Sequence, residues 1–205
     1  MTRVLVTLLY EDQRGDTQGF GLHAFVKACV FDILNGERHS IEGALSDGRP
    51  LKGAGNLLRA CRDEIDLIAA DGRLVVAVFD DDKIRGQLKL PRRASEERVL
   101  KEILKGCRAP DQLAVILLKD NMESVIDAAG VCAPTIDKKR IERASKNKDL
   151  LERDAILTEL SRERERPARV CILEKMPSLA ALIDLLCKTL RAAPHRRSTP
   201  KKPAG

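Results

Sequence analysis

Three short runs of apolar residues, separated by segments with helical spacing, constrain the fold of this chain more than any other feature. The runs are RVLVTLLY (residues 3–10), RLVVAVF (73–79) and QLAVILL (112–118). Continuous apolar runs of this length are typical of strands that are buried on both faces of a parallel sheet. Helical segments between such strands imply right-handed crossovers. The sequence therefore predicts an α/β fold with a doubly wound, mainly parallel sheet.

The remaining segments predict how the chain is organised around this sheet. A weaker strand is expected at RHSIEGALS (38–46), before a turn-rich stretch and a helix with Asn56 as its cap. From Ala133 onward the strand signal disappears and charged or amphipathic helical segments follow. We therefore expect an α/β domain at 1–132, a helical appendix at 133–190 and a disordered basic tail at 191–205.

The cysteines and the apolar content of the sequence indicate in which cellular compartment the protein is expected. The chain has no C-x-x-C pair, so buried reduced thiols are favoured over disulfides or a zinc site. No apolar run approaches the roughly 20 residues that cross a bilayer, and the amino-terminal segment lacks the features of a secretory signal. We expect a cytoplasmic protein without membrane contact. The six cysteines are Cys29, Cys61, Cys107, Cys132, Cys171 and Cys187.

Acidic residues follow two of the predicted strands. Glu11 and Asp12 come after the first strand, and Asp80, Asp81 and Asp82 follow RLVVAVF directly. Ligands of open α/β sheets bind beyond the carboxyl ends of the strands, and adjacent like charges repel unless water or a cation separates them. The carboxylates either cap a turn in solvent or hold Mg²⁺ or Mn²⁺, which prefer such oxygen ligands.

The metal interpretation assigns different roles to these carboxylates. Along an extended strand end, Asp80 and Asp82 point the same way and could share an ion, while Asp81 points elsewhere. Glu11 would serve as a further ligand or as a general base in phosphoryl transfer. Glu123, at the start of the helix after the fourth strand, either favours the helix dipole or adds another ligand.

Basic residues lie close to the acidic ones in the sequence. Lys83 and Arg85 could neutralise the aspartates or bind a phosphate, and both roles stay open. LKGAGN (51–56) is most simply a turn, with a phosphate contact that includes Lys52 as the alternative, and it lacks the P-loop signature. His23 is either an ordinary helix residue or a general acid. Residues 83–105 contain eight Lys or Arg and three Glu.

An apolar first strand ending in Glu and a middle strand ending in D-x-D resemble the TOPRIM domain of topoisomerases, primases and OLD-type nucleases. KGAGNLLRA, NMESVIDAAG and MPSLAALIDLL are similar to segments of uncharacterised bacterial TOPRIM-like proteins, often encoded beside an ATPase and in some cases in phage-defence loci. The resemblance implies that Glu11, Asp80 and Asp82 bind a divalent metal and cut a phosphodiester in DNA or RNA, with an ATPase as partner. The chain could also form a homo-oligomer.

Two departures from the TOPRIM pattern leave a second hypothesis open. The Glu-Gly turn of the family is replaced by the longer YEDQRGDTQGFG, and the only tyrosine, Tyr10, lies on the first strand, where it could not serve a topoisomerase. The resemblance therefore implies a metal-dependent nuclease. The alternative is a catalytically inactive TOPRIM-shaped subunit that binds an ATPase or another partner protein.

Overall fold

A four-stranded, entirely parallel sheet organises the protein. The computed structural model describes residues 4–12, 21–35, 41, 43–45, 47–69, 72–119, 122–146 and 149–192. Helices cover both faces of the sheet, so the predicted α/β fold with a parallel sheet is confirmed. The strand order is β2-β1-β3-β4. The strands are β1 (Val6–Asp12), β2 (Asp47–Lys52), β3 (Leu74–Asp80) and β4 (Leu113–Leu118).

The described helices connect these strands and then continue beyond the sheet. A π-helical segment, Ala60–Glu64, joins the second helix to the third. In chain order the α-helices are α1 (Gly21–Leu34), α2 (Ala54–Arg59), α3 (Ile65–Ile68), α4 (Asp81–Gln87), α5 (Glu96–Leu104), α6 (Met122–Cys132), α7 (Lys138–Lys146), α8 (Leu150–Leu160), α9 (Arg166–Lys175) and α10 (Pro177–Ala192).

Two hydrophobic cores lie on opposite faces of the sheet. Side chains alternate along the central strands, so Leu8 and Val76 enter the first core while Leu9 and Ala77 enter the second. The first core is completed by α1 and by α6 to α10, and the second by α2 to α5. This explains the uninterrupted apolar runs, because β1 and β3 are buried on both faces.

The predicted second strand at 38–46 is wrong. Ile41 and residues 43–44 are helical, and β2 lies instead in the stretch that was read as turn-rich. β2 pairs only with β1, with Pro50 opposite Tyr10, so it is an edge strand of the sheet. Edge strands tolerate proline and glycine and need no apolar run, which is why the pattern did not reveal it.

Two helix caps show how far local signals were reliable. Ser95 caps α5, since its Oγ accepts a hydrogen bond from the Arg98 amide at 3.3 Å. Asn56 is not the cap of α2; it lies inside that helix and donates from Nδ2 to the Lys52 carbonyl at 2.8 Å. The N-cap is Gly53, whose φ of 92° lies in the region that favours glycine.

The prediction that all cysteines are reduced is wrong for one pair. Cys132, at the end of α6, forms a disulfide with Cys171 on α9, across a sequence separation of 39 residues. The packing of α6 against α9 brings the two together, and cysteine spacing alone does not reveal such connectivity. The other four cysteines are free thiols. Burial raises the pKa of Cys29 and Cys61 to about 12, which makes both thiols unreactive.

The helices after residue 133 share the first core with the sheet. Ile156 of α8, Ile172 of α9 and Leu182 of α10 belong to the same hydrophobic cluster as β1. Helix α10 extends through Ala192, and the rest of the predicted basic tail lies outside the described residues. Among the described helices, none is long and apolar enough to cross a membrane.

Replacing Gly48 of β2 with alanine is expected to destabilise the protein by about 1–3 kcal/mol. A Cβ at this position would lie 2.5 Å from the His23 ring. The ring cannot move away without losing its contacts, because Nε2 donates to the Leu45 carbonyl at 2.8 Å and Nδ1 lies 3.1 Å from the Tyr10 hydroxyl. Urea denaturation measures the change.

The matched control is Gly86→Ala in α4. A Cβ there meets no atom within 4 Å, so the variant should gain roughly 0.5–1 kcal/mol from the higher helix propensity of alanine. A Gly48→Ala variant as stable as the wild type would contradict the tight packing of β2 on His23.

Candidate active site

The carboxyl ends of β1 and β3 lie at the topological switch point of the sheet. The two strands are neighbours, yet the next described helix after β1 packs on the first core and the helix after β3 packs on the second. Where connections diverge in this way they leave a crevice, and this is the usual ligand site of open α/β sheets. Glu11 and Asp80 lie at the ends of these two strands.

The structure brings Glu11 and Asp80 together. The Asp80 amide donates a hydrogen bond to Glu11 Oε2 at 3.2 Å. Both side chains are largely buried, with 3% of Glu11 and 12% of Asp80 exposed. Two carboxylates that have lost most of their water must be compensated by a cation, by a proton or by hydrogen bonds.

Lys83 supplies a positive charge to this pair. Its side chain comes from the first turn of α4, and its Nζ lies 2.5 Å from Asp80 Oδ2 and 3.9 Å from Glu11 Oε1. Partial burial works to lower the pKa of Lys83, but the hydrogen bond to Asp80 and the charges of Asp80 and Glu11 outweigh it and raise the pKa. Of the two roles left open by the sequence, Lys83 performs charge neutralisation here.

The pKa of Glu11 is raised to about 7. Burial is the main cause, and the negative charges of Asp80 and Asp82 act in the same direction, while Lys83 and the Asp80 amide oppose them. A carboxyl group with a pKa near neutrality exchanges its proton readily at physiological pH, which is what a general acid or base requires.

The three consecutive aspartates lie in three environments because α4 begins at Asp81. The alternation expected along an extended strand therefore does not apply beyond Asp80. Asp80 points toward Glu11 and Lys83, whereas Asp81 accepts a hydrogen bond from Arg85 Nε at 2.8 Å. Asp82 is exposed and its Oδ1 accepts from the Lys83 amide at 2.9 Å. Asp82 thus acts on Glu11 through its charge rather than by sharing the orientation of Asp80.

Of the two roles left open for Arg85, its contacts in the structure are those of charge neutralisation, and its contact with a phosphate stays a prediction. Its side chain is buried, with Nε donating to Asp81 and Nη1 donating to the Ala94 carbonyl at 2.5 Å. Two of the three guanidinium nitrogens, Nε and Nη1, therefore already donate hydrogen bonds within the protein. The sequence did contain a signal for this role, because Asp81 and Arg85 have the i,i+4 spacing of a helical ion pair.

The structure supports an interpretation for one of the three remaining candidates, His23, and leaves the roles of Lys52 and Glu123 as predictions. Lys52 ends β2 with an exposed side chain, on the same edge of the sheet as Glu11, so its phosphate contact stays a prediction. Glu123 lies in the first turn of α6, and its side chain is outside the described residues. His23 packs between α1 and the sheet through Tyr10 and Leu45, which supports its interpretation as an ordinary helix residue.

The donor set fits a hard divalent cation with few protein ligands. Among the described side chains, no group of three or more His, Cys, Asp or Glu is arranged to hold a metal. Glu11 and Asp80 nevertheless each place a carboxylate oxygen within 4 Å of the same Lys83 ammonium group, and Mg²⁺ is commonly bound through one or two carboxylates while keeping several waters. The pair does not fit a structural zinc site, which needs four ligands rich in nitrogen or sulfur.

Comparison with known proteins adds no information on function. No family model, no curated protein and no solved structure matches this chain significantly, so a functional proposal must depend on the fold and on the geometry of Glu11, Asp80 and Lys83.

Proposed function

We propose that this protein is a metal-dependent phosphodiester-processing enzyme with a TOPRIM-like acidic site, in which Glu11 and Asp80 bind Mg²⁺ or Mn²⁺ and Asp82 contributes charge. The single observation that carries the proposal is the pairing of two buried carboxylates at the switch point, next to an internal ammonium group. A buried pair that already requires a positive charge is a suitable site for an added cation.

The chemistry follows from the environments of the side chains. A bound divalent ion would polarise a phosphate oxygen and lower the pKa of a coordinated water. Glu11, whose pKa is raised to about 7 in the metal-free site, would lose its proton when the cation binds, because a nearby positive charge favours the carboxylate. The Lys83 side chain is 47% exposed, so it can leave Asp80 when the metal enters and contact the substrate phosphate instead.

The substrate and partners of the proposal come from the TOPRIM resemblance. It supports DNA or RNA as substrate and an ATPase as partner protein in a bacterial defence-type system. Free thiols at four cysteines support a cytoplasmic location, whereas the Cys132–Cys171 disulfide argues against it. A homo-oligomer is compatible with the proposal and is not required by it.

Asp80→Asn is expected to lower Mn²⁺-dependent cleavage of DNA or RNA by at least about tenfold, since even outer-shell partners of a metal ligand cost that much. Asp82→Asn should have a smaller effect because Asp82 acts through charge. Asp184→Asn, the same change at an exposed position of α10, is the control and should cleave normally. Unchanged cleavage by Asp80→Asn, or no cleavage by the wild type with either metal, would refute the enzyme proposal.

A catalytically inactive subunit that binds an ATPase or another partner is the second candidate. The observation that favours it is the Lys83 ammonium, which contacts both carboxylates and can replace a metal permanently. Calorimetric titration with Mn²⁺ separates the two candidates. An active site should give a binding heat that Asp80→Asn abolishes, whereas an inactive site should give the same trace for both proteins.

A further inference from the structure

A cluster of exposed cations follows the acidic site along the chain. It consists of Lys89, Arg92 and Arg93 in the loop after α4, with Arg98 and Lys101 on α5, and we call these five residues the basic loop cluster. None of the five has a carboxylate within ion-pair distance among the described residues. Two nearby glutamates are engaged elsewhere, since Glu96 lies 3.3 Å from Lys119 and Glu102 lies 3.8 Å from Lys105. The cluster is therefore available to an external anion.

The loop that carries this cluster is held in a defined conformation. The Leu90 amide donates to the Arg85 carbonyl at 2.9 Å, and the Ala94 amide donates to the Pro91 carbonyl at 2.9 Å. Leu88 and Leu90 pack against the second core. A loop that is already ordered loses little conformational entropy when it binds a ligand.

Arg85 connects the loop to the acidic site. One guanidinium contacts the Asp81 carboxylate through Nε and the Ala94 carbonyl through Nη1. Asp81 is the residue after Asp80, so the end of the loop folds back beside the start of α4. Ala94, the residue after Arg93, is consequently held close to the Asp81 carboxylate in the first turn of α4.

We propose that Arg92 and Arg93 bind the phosphate backbone of a nucleic acid strand and guide it to the site of Glu11 and Asp80. Arginine suits this role because its planar guanidinium binds phosphate oxygens in a bidentate manner. The inference depends on the proposed function for the identity of the adjacent site, although binding itself requires no catalysis.

The aromatic residues favour backbone contacts over base recognition. Proteins that bind single strands through their bases use exposed aromatic side chains for stacking. Here Tyr10, Phe25 and Phe79 are fully buried in the two cores. Recognition through phosphates alone carries no sequence information, so the proposed ligand class is DNA or RNA without sequence preference.

The test is the binding of a fluorescently labelled oligonucleotide, followed by anisotropy in EDTA so that no cleavage occurs. Arg92→Ala with Arg93→Ala is compared with Lys138→Ala with Lys139→Ala, which removes two exposed positive charges from α7 on the other side of the sheet. We expect the arginine variant to bind several-fold more weakly, and the slope of log Kobs against log salt to fall by about 2, roughly one per lost phosphate contact. The lysine variant should retain both affinity and slope.

Several results would overturn the inference. These are no binding by the wild type at low salt, equal losses in the two double variants, or no loss in the arginine variant. A loss confined to anionic phospholipid vesicles, with nucleic acid binding intact, would assign the cluster to a membrane surface instead.

Failure of this inference can be distinguished from failure of the proposed function. Asp80→Asn should keep its affinity in EDTA while losing cleavage. If Asp80→Asn cleaves normally but the arginine variant binds weakly, the proposal that Arg92 and Arg93 bind nucleic acid is supported and the proposed metal site is wrong. If Asp80→Asn loses cleavage but the arginine variant binds normally, the enzyme proposal stands and the assignment of Arg92 and Arg93 is wrong.

Discussion

Arg169→Met is expected to destabilise the protein by about 3–5 kcal/mol, the usual cost of removing one partner of a buried ion pair. Arg169 of α9 is 2% exposed and binds Asp32 of α1 through Nε at 2.7 Å and Nη2 at 3.0 Å. Its Nη1 also donates to the carbonyls of Leu160 and Arg162. Methionine fills much of the volume but leaves a carboxylate and two carbonyls without these donors. Denaturant titration measures the loss.

Arg166→Met is the matched control, because Arg166 lies on the same helix and faces the same carboxylate. Its Nε is 3.8 Å from Asp32 Oδ1 and its side chain is 54% exposed. Pairs of this kind contribute at most about 1 kcal/mol. The contrast isolates burial as the cause, since both substitutions remove one positive charge beside Asp32. Equal losses in the two variants would contradict the central role of Arg169 in joining α9 to α1.

The Arg169 network also shows what kind of information the sequence lacked. Asp32 and Arg169 are separated by 137 residues, and neither belongs to a recognisable motif. The strands β1 and β3 could be predicted because burial on both faces requires continuous apolar residues, and β4 could be predicted because it keeps an apolar run although it is the other edge strand. The edge strand β2 could not, because an edge position allows glycine and proline and its sequence, DGRPLK, contains both. The Cys132–Cys171 bond was missed for the same reason as the ion pair, since both depend on how distant helices pack.

The candidate site was predictable at the level of strand ends but not of side-chain direction. The carboxyl ends of parallel strands lie at one edge of the sheet, which is where Glu11 and Asp80 were expected, and the structure has the two residues in contact. The direction of the next two aspartates depends on the exact residue at which α4 begins, and helix boundaries are the least certain part of a pattern-based prediction. Because the helix begins at Asp81, Arg85 lies one helical turn later and donates hydrogen bonds to Asp81 and to the Ala94 carbonyl. Arg92, in the following loop, is exposed to solvent.

Glu11→Gln is expected to stabilise the protein by about 3 kcal/mol at pH 8 and to leave its stability unchanged near pH 4. The folded pKa of about 7 exceeds the ordinary value of 4.5, so the folded state holds this proton more tightly than the unfolded state. Between pH 4.5 and about pH 7 the unfolded chain releases the proton while the folded protein keeps it, so the stability of the protein falls as the pH rises. Each unit of pKa difference corresponds to about 1.4 kcal/mol.

Glutamine removes this pH dependence because it carries no ionisable proton. Its side-chain oxygen can still accept the hydrogen bond from the Asp80 amide, and Lys83 keeps its closer contact with Asp80. Urea denaturation at several pH values between 4 and 8 measures the difference. Glu97→Gln, an exposed carboxylate on α5, is the control and should change stability by less than about 0.5 kcal/mol throughout.

Divalent metal should remove most of the difference in stability between the two proteins at pH 8. An ion that binds only the folded state stabilises it by about 2.7 kcal/mol at a concentration a hundred times its Kd. Mn²⁺ at pH 8 should therefore stabilise the wild type and have little effect on Glu11→Gln, which has lost one of the two carboxylates. If the wild type is less stable than Glu11→Gln without metal and Mn²⁺ removes this difference, the Glu11 carboxylate serves to bind the metal. A carboxylate with only a structural role would not be stabilised by Mn²⁺. A destabilised Glu11→Gln at pH 8, or equal stabilisation of both proteins by Mn²⁺, would contradict this explanation.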